Sequence, residues 1–178
     1  MWRFFRVFFS ILIVIVALYG VISLRPYRVT GDSMLPSFSD QQIVITDRIS
    51  THFSPLRRWE IIVYRDMTEG GEIKIKRVIG LPNERIEISE GKVMLVQWAI
   101  KNEIEERYLE EHTHTCLPWS CTDLSPRVFD APNNSYFVLG DNRGNSRDSR
   151  GCQDITNCDH TPIYIPKTEI LGRVIVSF

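Results

Sequence analysis

Residues 7–24 read VFFSILIVIVALYGVISL, eighteen residues in a row without a charge. No other feature of the chain limits its fold as much. At about 1.5 Å of helical rise per residue, such a run spans roughly 27 Å, close to the hydrocarbon core of a bilayer. Phe4 and Phe5 lengthen it, Arg6 can snorkel to the interface, and Trp2 and Tyr27 stand where aromatics anchor a span. Residues 1–28 are therefore expected to be a permanent transmembrane anchor with a short juxtamembrane link. A removed signal peptide would need a small-x-small cleavage site after the run, yet Arg25 and Pro26 follow Leu24. A buried core helix is the other reading, and an uncharged run of this length exceeds what most amphipathic core helices carry. Arg3, Arg6 and the terminal amine precede the span, and Arg25 and Arg28 follow it, a balance that tilts toward a cytoplasmic N-terminus.

The rest of the chain reads as short strands. Residues 43–46, 60–64, 73–79, 85–88, 92–96, 135–139 and 170–177 are apolar runs or alternate apolar with polar, and Pro, Gly, Asn and Asp punctuate the gaps. Several short strands with few helical segments predict an all-β domain over 29–178. The stretch 97–134 stands apart. It carries Glu103, Glu105, Glu106, Glu110 and Glu111 and is expected to be a solvated insertion between core strands. A helix over 98–111 fits its apolar positions only loosely. The net charge of −1 and the lack of a polybasic tail give no electrostatic footprint for nucleic acid, and none is expected as a partner.

Cys116, Cys121, Cys152 and Cys158 form two close pairs. Joining near neighbours would close two short loops, as suits an oxidising compartment. Reduced thiols are one alternative. A metal held by His112, His114, Cys116 and Cys121 is another, but that spacing matches no familiar zinc pattern. No metal and no cofactor is expected.

Three segments carry chemistry. In Gly31-Asp32-Ser33-Met34-Leu35-Pro36 a serine sits in a glycine-containing turn soon after the apolar run, where backbone can approach a substrate closely. Such a serine is more often a plain turn residue. In Lys74-Ile75-Lys76-Arg77-Val78-Ile79 a lysine lies among apolar residues on a strand. Burial would lower its pKa and turn the amine into a usable base, whereas an edge-strand lysine would stay solvated. Residues 140–150, GDNRGNSRDSR, form a dense polar loop directly after an apolar strand, a common setting for a functional site.

Together these segments resemble the signal peptidase I family. GDSMLP is similar to the nucleophile box, KIKRVIGLP to the lysine box and GDNRGNSRDSR to the C-terminal box, while RRWEIIVYR resembles the intervening strand. The resemblance fades over 97–134. It implies a mainly β Ser-Lys peptidase domain behind a transmembrane helix, with Ser33 as nucleophile and Lys76, the lysine next to Arg77, as general base. Lys74 is expected only to face solvent or a partner strand. Ser146 would orient the lysine, Asp141, Arg77, Asp148 and Arg150 would brace the site, and Met34 would shape the substrate floor. Some family members carry a serine two residues before the nucleophile to help hold the oxyanion. Gly31 stands there, which leaves the Ser33 backbone N–H and another donor for that task.

The implied activity is removal of signal peptides from exported preproteins. The expected setting is the plasma (inner) membrane, crossed once, with the catalytic domain on the outer face beside the lipid bilayer. Two rivals are a specialised maturation peptidase, as for a conjugative pilin, and a tethered domain that binds without catalysis. A self-cleaving repressor with the same dyad would need a DNA-binding domain where the apolar run stands.

Overall fold

The apolar run forms one helix. A computed structural model of the chain, describing residues 2–110, 113–115, 125–151 and 161–178, places α1 over Trp2–Ser23. Its apolar side chains are exposed along the whole length, and it is long and apolar enough to cross a membrane. Its end is pinned. Ser23 is buried, its hydroxyl bonds to the Asp47 carboxylate, and its carbonyl accepts the Arg48 N–H at 3.0 Å.

The chain enters the sheet without a spacer. β1 (Leu24–Arg28) pairs antiparallel with β2 (Ile43–Asp47), Leu24 opposite Asp47. The segment expected to be a link is thus a strand. Its signal was hidden because it is an edge strand, where Pro26 and two arginines are tolerated and no full apolar alternation is needed.

The main sheet has seven antiparallel strands in the order β1-β2-β11-β3-β4-β9-β10. Its other members are β3 (Ile61–Asp66), β4 (Glu72–Gly80), β9 (Ser135–Leu139), β10 (Ile165–Pro166) and β11 (Ile170–Ser177). A second sheet, β7-β6-β5-β8, joins β5 (Arg85–Ser89), β6 (Lys92–Gln97), β7 (Ile100–Glu103) and β8 (Arg127–Asp130). A one-turn helix α2 (Ser50–Phe53) follows β2. The described residues of the insertion therefore supply two strands, and among them there is no helix over 98–110. Glu103 opposite Met94 shows why: cross-strand pairing with β6 overrides a weak helical period.

β9 is buried on both faces, which explains its continuous apolar run. Tyr136 and Val138 pack with Ile62, Tyr64 and Val78, while Phe137 and Leu139 pack with Ile79, Ile86 and Phe129 toward the second sheet. A third cluster, Val29, Met34, Phe38, Val44, Val63 and Ile75, lies under the turn that carries Ser33. All four cysteines and His112 lie outside the described residues, so the disulfide and metal readings find no structural counterpart here.

Phe137 couples the two sheets, with its ring centroid 4.8 Å from that of Phe129. Phe137→Ala is expected to destabilise the protein by about 3–5 kcal/mol. Thermal unfolding of the detergent-solubilised chain checks this, and a loss under about 1 kcal/mol would show that the sheets do not depend on that contact.

Candidate active site

β4 is an interior strand between β3 and β9, and Lys76 faces Ile62 across the ladder. The period of two puts Lys74, Lys76 and Val78 on one face and Ile75, Arg77 and Ile79 on the other. Lys76 is 3% exposed. Its Nζ donates to Ser33 Oγ at 2.7 Å and to the Ile75 carbonyl at 3.0 Å. Burial pushes the amine down from its usual 10.5 to about 8; Asp148 and Asp141 pull it back up, while Lys74 and Arg150 press it further down.

Ser33 reaches Lys76 from a compact turn after β1. Gly31 holds a left-handed φ of +78° that favours glycine, and its N–H donates to Asp40 at 2.8 Å. The Phe38 N–H closes the turn on the Met34 carbonyl at 2.9 Å. Met34 is fully buried in the third cluster, so it supports the cleft from beneath and does not line it. Two bonds from Asn142 fix the turn from above: its N–H donates to the Ser33 carbonyl at 3.1 Å and its side chain to the Asp32 carbonyl at 3.0 Å.

Asn142 belongs to the polar loop after β9, and the β4–β9 register, Arg77 opposite Leu139, sets that loop beside Lys76. Arg77 binds Asp141 through two nitrogens, at 2.8 and 2.6 Å, and also reaches Ser37 Oγ and the Trp59 carbonyl. Trp59 lies in the left-handed region, φ +69°, which turns that carbonyl toward the guanidinium. Arg150 grips Asp148 the same way, at 2.8 Å twice. Burial alone would raise the Asp148 carboxyl, but Arg150 and the Gly140 N–H hold it below the usual carboxylate range. A Cβ at Gly140 would sit 2.6 Å from the Ser33 carbonyl oxygen, so only glycine allows this approach.

Every residue expected at the site converges, with different contacts in one case. Ser146 is buried beside Gly140, but its hydroxyl has no hydrogen-bond partner among the described residues and makes none with Lys76. Lys74 turns, as expected of it, to a partner strand, here β3, and not to open solvent. It pairs with Asp66 at 2.9 Å and with Glu69, which also holds Arg147. Sequence reasoning missed Ser37, Trp59, Glu106 and Tyr108. Only tertiary contact marks these four, since Ser37, Glu106 and Tyr108 belong to no recognisable motif and Trp59, although inside RRWEIIVYR, acts through its backbone carbonyl.

Above the dyad runs an open cleft of about 720 Å³. Tyr27, Val29 and Ile75 make its apolar wall, Ser33 and Lys76 stand at its base, and Glu72, Lys74 and Arg147 make it polar at one side. Among the described residues no cluster of His, Cys, Asp and Glu could hold a metal ion. The arrangement can deliver a hydroxyl nucleophile and a dry amine base to an extended peptide laid in the cleft.

The family model described as signal peptidase, peptidase S26, matches residues 1–178. A signal peptidase I from Leptolyngbya laminosa is 34% identical over 84% of this chain and 66% of its own length, so the chain spans about two thirds of that relative. Signal peptidase I U of Bacillus subtilis is 32% identical over 78% of this chain and 73% of its own, and a probable signal peptidase I-1 of Synechocystis sp. is 30% identical over 99% and 84%. A crystal structure of a signal peptidase I from Enterococcus faecalis covers 69% of this chain and 98% of its own at 22% identity, with a TM-score of 0.49.

Burying Lys76 has a signed consequence for stability. Below about 8 both folded and unfolded chains hold the proton, and the full cost of burying the charge, about 3 kcal/mol, is present. Between about 8 and 10.5 only the unfolded chain keeps it, so stability rises with pH. Lys76→Met should therefore be the more stable protein at neutral pH, by up to about 3 kcal/mol, and the gain should fade toward pH 10.5. A gain that does not change with pH, or a loss at neutral pH, would contradict the buried, titrating amine.

Proposed function

Because the chain belongs to the signal peptidase I family of serine endopeptidases, peptidase S26, we propose that Ser33 and Lys76 are the dyad with which it removes signal peptides from exported preproteins. The 2.7 Å contact between Ser33 Oγ and the buried Lys76 amine carries the reading. When the amine is neutral the bond reverses: the hydroxyl donates and the lone pair of Nζ accepts. Ser33 Oγ then attacks the scissile carbonyl as its proton passes to Lys76, and the ammonium returns that proton to the departing amine. A water activated by the same amine hydrolyses the acyl-enzyme. The Ser33 N–H makes no hydrogen bond among the described residues and is our candidate for one oxyanion donor.

The setting supports the substrate. α1 ends at Ser23 and β1 at Arg28, so the five residues from there to Ser33 keep the dyad close to the end of the apolar helix. A preprotein held in the same bilayer by its signal sequence would present its cleavage site at that depth. We place the N-terminus in the cytoplasm and the catalytic domain on the outer face of the plasma (inner) membrane, as the arginine distribution favours. The relatives named above are signal peptidases I, and neither the pilin-type maturation peptidase nor the non-catalytic binding domain is favoured.

Ser33→Ala is expected to abolish cleavage of a preprotein in lipid vesicles and to leave thermal unfolding near wild type. Lys76→Arg should be as inactive as Lys76→Ala, because a guanidinium cannot give up its proton at working pH. Wild-type activity should rise with pH through a midpoint near 8, as the amine becomes neutral. Substantial cleavage by Ser33→Ala or by Lys76→Arg would remove the dyad assignment.

A further inference from the structure

The insertion 97–134, expected to be solvated, docks a polar clamp onto the catalytic loop. Ile104 is buried in the core under the second sheet, and its N–H bonds to the Val93 carbonyl at 2.8 Å, which fixes the backbone just before Glu106. The Glu106 carboxylate then takes both terminal nitrogens of Arg143, Nη1 at 2.8 Å and Nη2 through its other oxygen. Tyr108 OH accepts from Arg143 Nη2 at 3.0 Å and donates to Glu106. Thr115, tied to the turn between β5 and β6 by the bond from its N–H to the Gly91 carbonyl, gives Arg143 Nη1 a hydroxyl acceptor. The ring of Tyr108 also lies 3.8 Å from the Arg77 guanidinium carbon. One tyrosine thus touches two arginines of the site.

Arg143 is 2% exposed, and its remaining nitrogen, Nε, donates to the Gly140 carbonyl at 3.0 Å. Its own carbonyl accepts from Arg150 at 2.8 Å. Beyond Gly140 the loop runs to Asn142, whose N–H holds the Ser33 carbonyl. We propose that Glu106 and Tyr108 are positioning residues of the catalytic centre: through Arg143 they press the loop 140–146 onto the Ser33 turn and so keep water from Lys76. The physical ground is the buried guanidinium. It cannot shed its proton, so without Glu106 its charge must be carried out to water, and the loop attached to it must follow. Lys76 would then be rehydrated, among the charges that face it: Asp148, Arg150 and Asp141 on the loop, and Lys74 on its own strand.

This inference rests on the Ser33–Lys76 reading, and its test separates the two. Preprotein cleavage by the full chain in lipid vesicles is followed across the pH range for Glu106→Gln, Glu106→Asp and Tyr108→Phe, with the exposed Glu105→Gln as control. In parallel, the rate at which acetic anhydride labels Lys76 is read against pH by mass spectrometry. Glu106→Gln should move both midpoints upward by about one unit or more. Cleavage would then fall about tenfold at neutral pH with little change in KM, and the deficit would close above the new midpoint. Glu106→Asp should recover most of the shift, Tyr108→Phe should show a smaller shift in the same direction, and Glu105→Gln none. An unmoved labelling midpoint, or a loss of activity equal at every pH and matched by lower thermal stability, would overturn the positioning role. Should Ser33→Ala cleave like wild type, the dyad reading falls, while the labelling midpoint still decides whether the clamp keeps Lys76 dry.

Discussion

The hydrogen bond between Lys76 and Ser33 exists in a useful form only if the amine is dry, and most of the polar apparatus around it answers to that demand. An exposed lysine is protonated at working pH and accepts nothing. Lys76 hydrogen-bonds a hydroxyl and a backbone carbonyl, and no carboxylate among the described residues. The three buried arginines nearby each have a dedicated acid instead: Arg77 with Asp141, Arg150 with Asp148, Arg143 with Glu106. Charge is therefore neutralised pair by pair around an amine that is left unpaired. Pairs of this kind contribute little net stability, because desolvation offsets attraction. What they set is geometry, since a bidentate guanidinium–carboxylate pair fixes both partners in plane and distance.

The antiparallel sheet converts three distant sequence segments into one site. β4 lies between β3 and β9, so the lysine strand and the strand that delivers the polar loop are direct neighbours. The register opposes Arg77 to Leu139, and two residues later the chain reaches Asp141, which is why that pair forms. Ser33 arrives from the other side, on a turn whose buried Met34 locks it to Val63 of β3 and Ile75 of β4. A serine on a loop is held rigid beside Lys76 by this packing from below and the Asn142 contacts from above.

The helix and the dyad are linked by the same economy of distance. α1 runs into β1 without a break, and Asp47 at the end of β2 ties back to Ser23. The sheet edge is thereby hung directly on the end of the apolar helix, and the cleft shares that neighbourhood through Tyr27 and Val29. The insertion, by contrast, reaches the site from the second sheet, and its described residues meet it through side chains of Glu106, Tyr108 and Thr115.

Much of this was legible in the residues alone. An eighteen-residue uncharged run has a helical solution whatever surrounds it, because length and polarity act locally. The strands with apolar alternation or double-sided burial, β2 to β6, β9 and β11, announced themselves for the same reason, and the three boxes marked Ser33, Lys76 and the polar loop. β1 escaped notice because an edge strand tolerates Pro26 and arginines, and β7 because one exposed strand needs no apolar face. The lysine box named Lys76 over Lys74, but the physical difference between the two amines arises only in three dimensions. Both share one face of β4, but Lys74 meets Asp66 and Glu69 while Lys76 meets Ser33. The clamp of Glu106 on Arg143 had no sequence signal at all, since an acid in an acidic stretch reads as solvated until a guanidinium from a distant loop is brought beneath it. Local chemistry determines which residues are able to act; only the packing of distant strands decides which of them lose water, and losing water is what gives an amine, a hydroxyl and three ion pairs their roles.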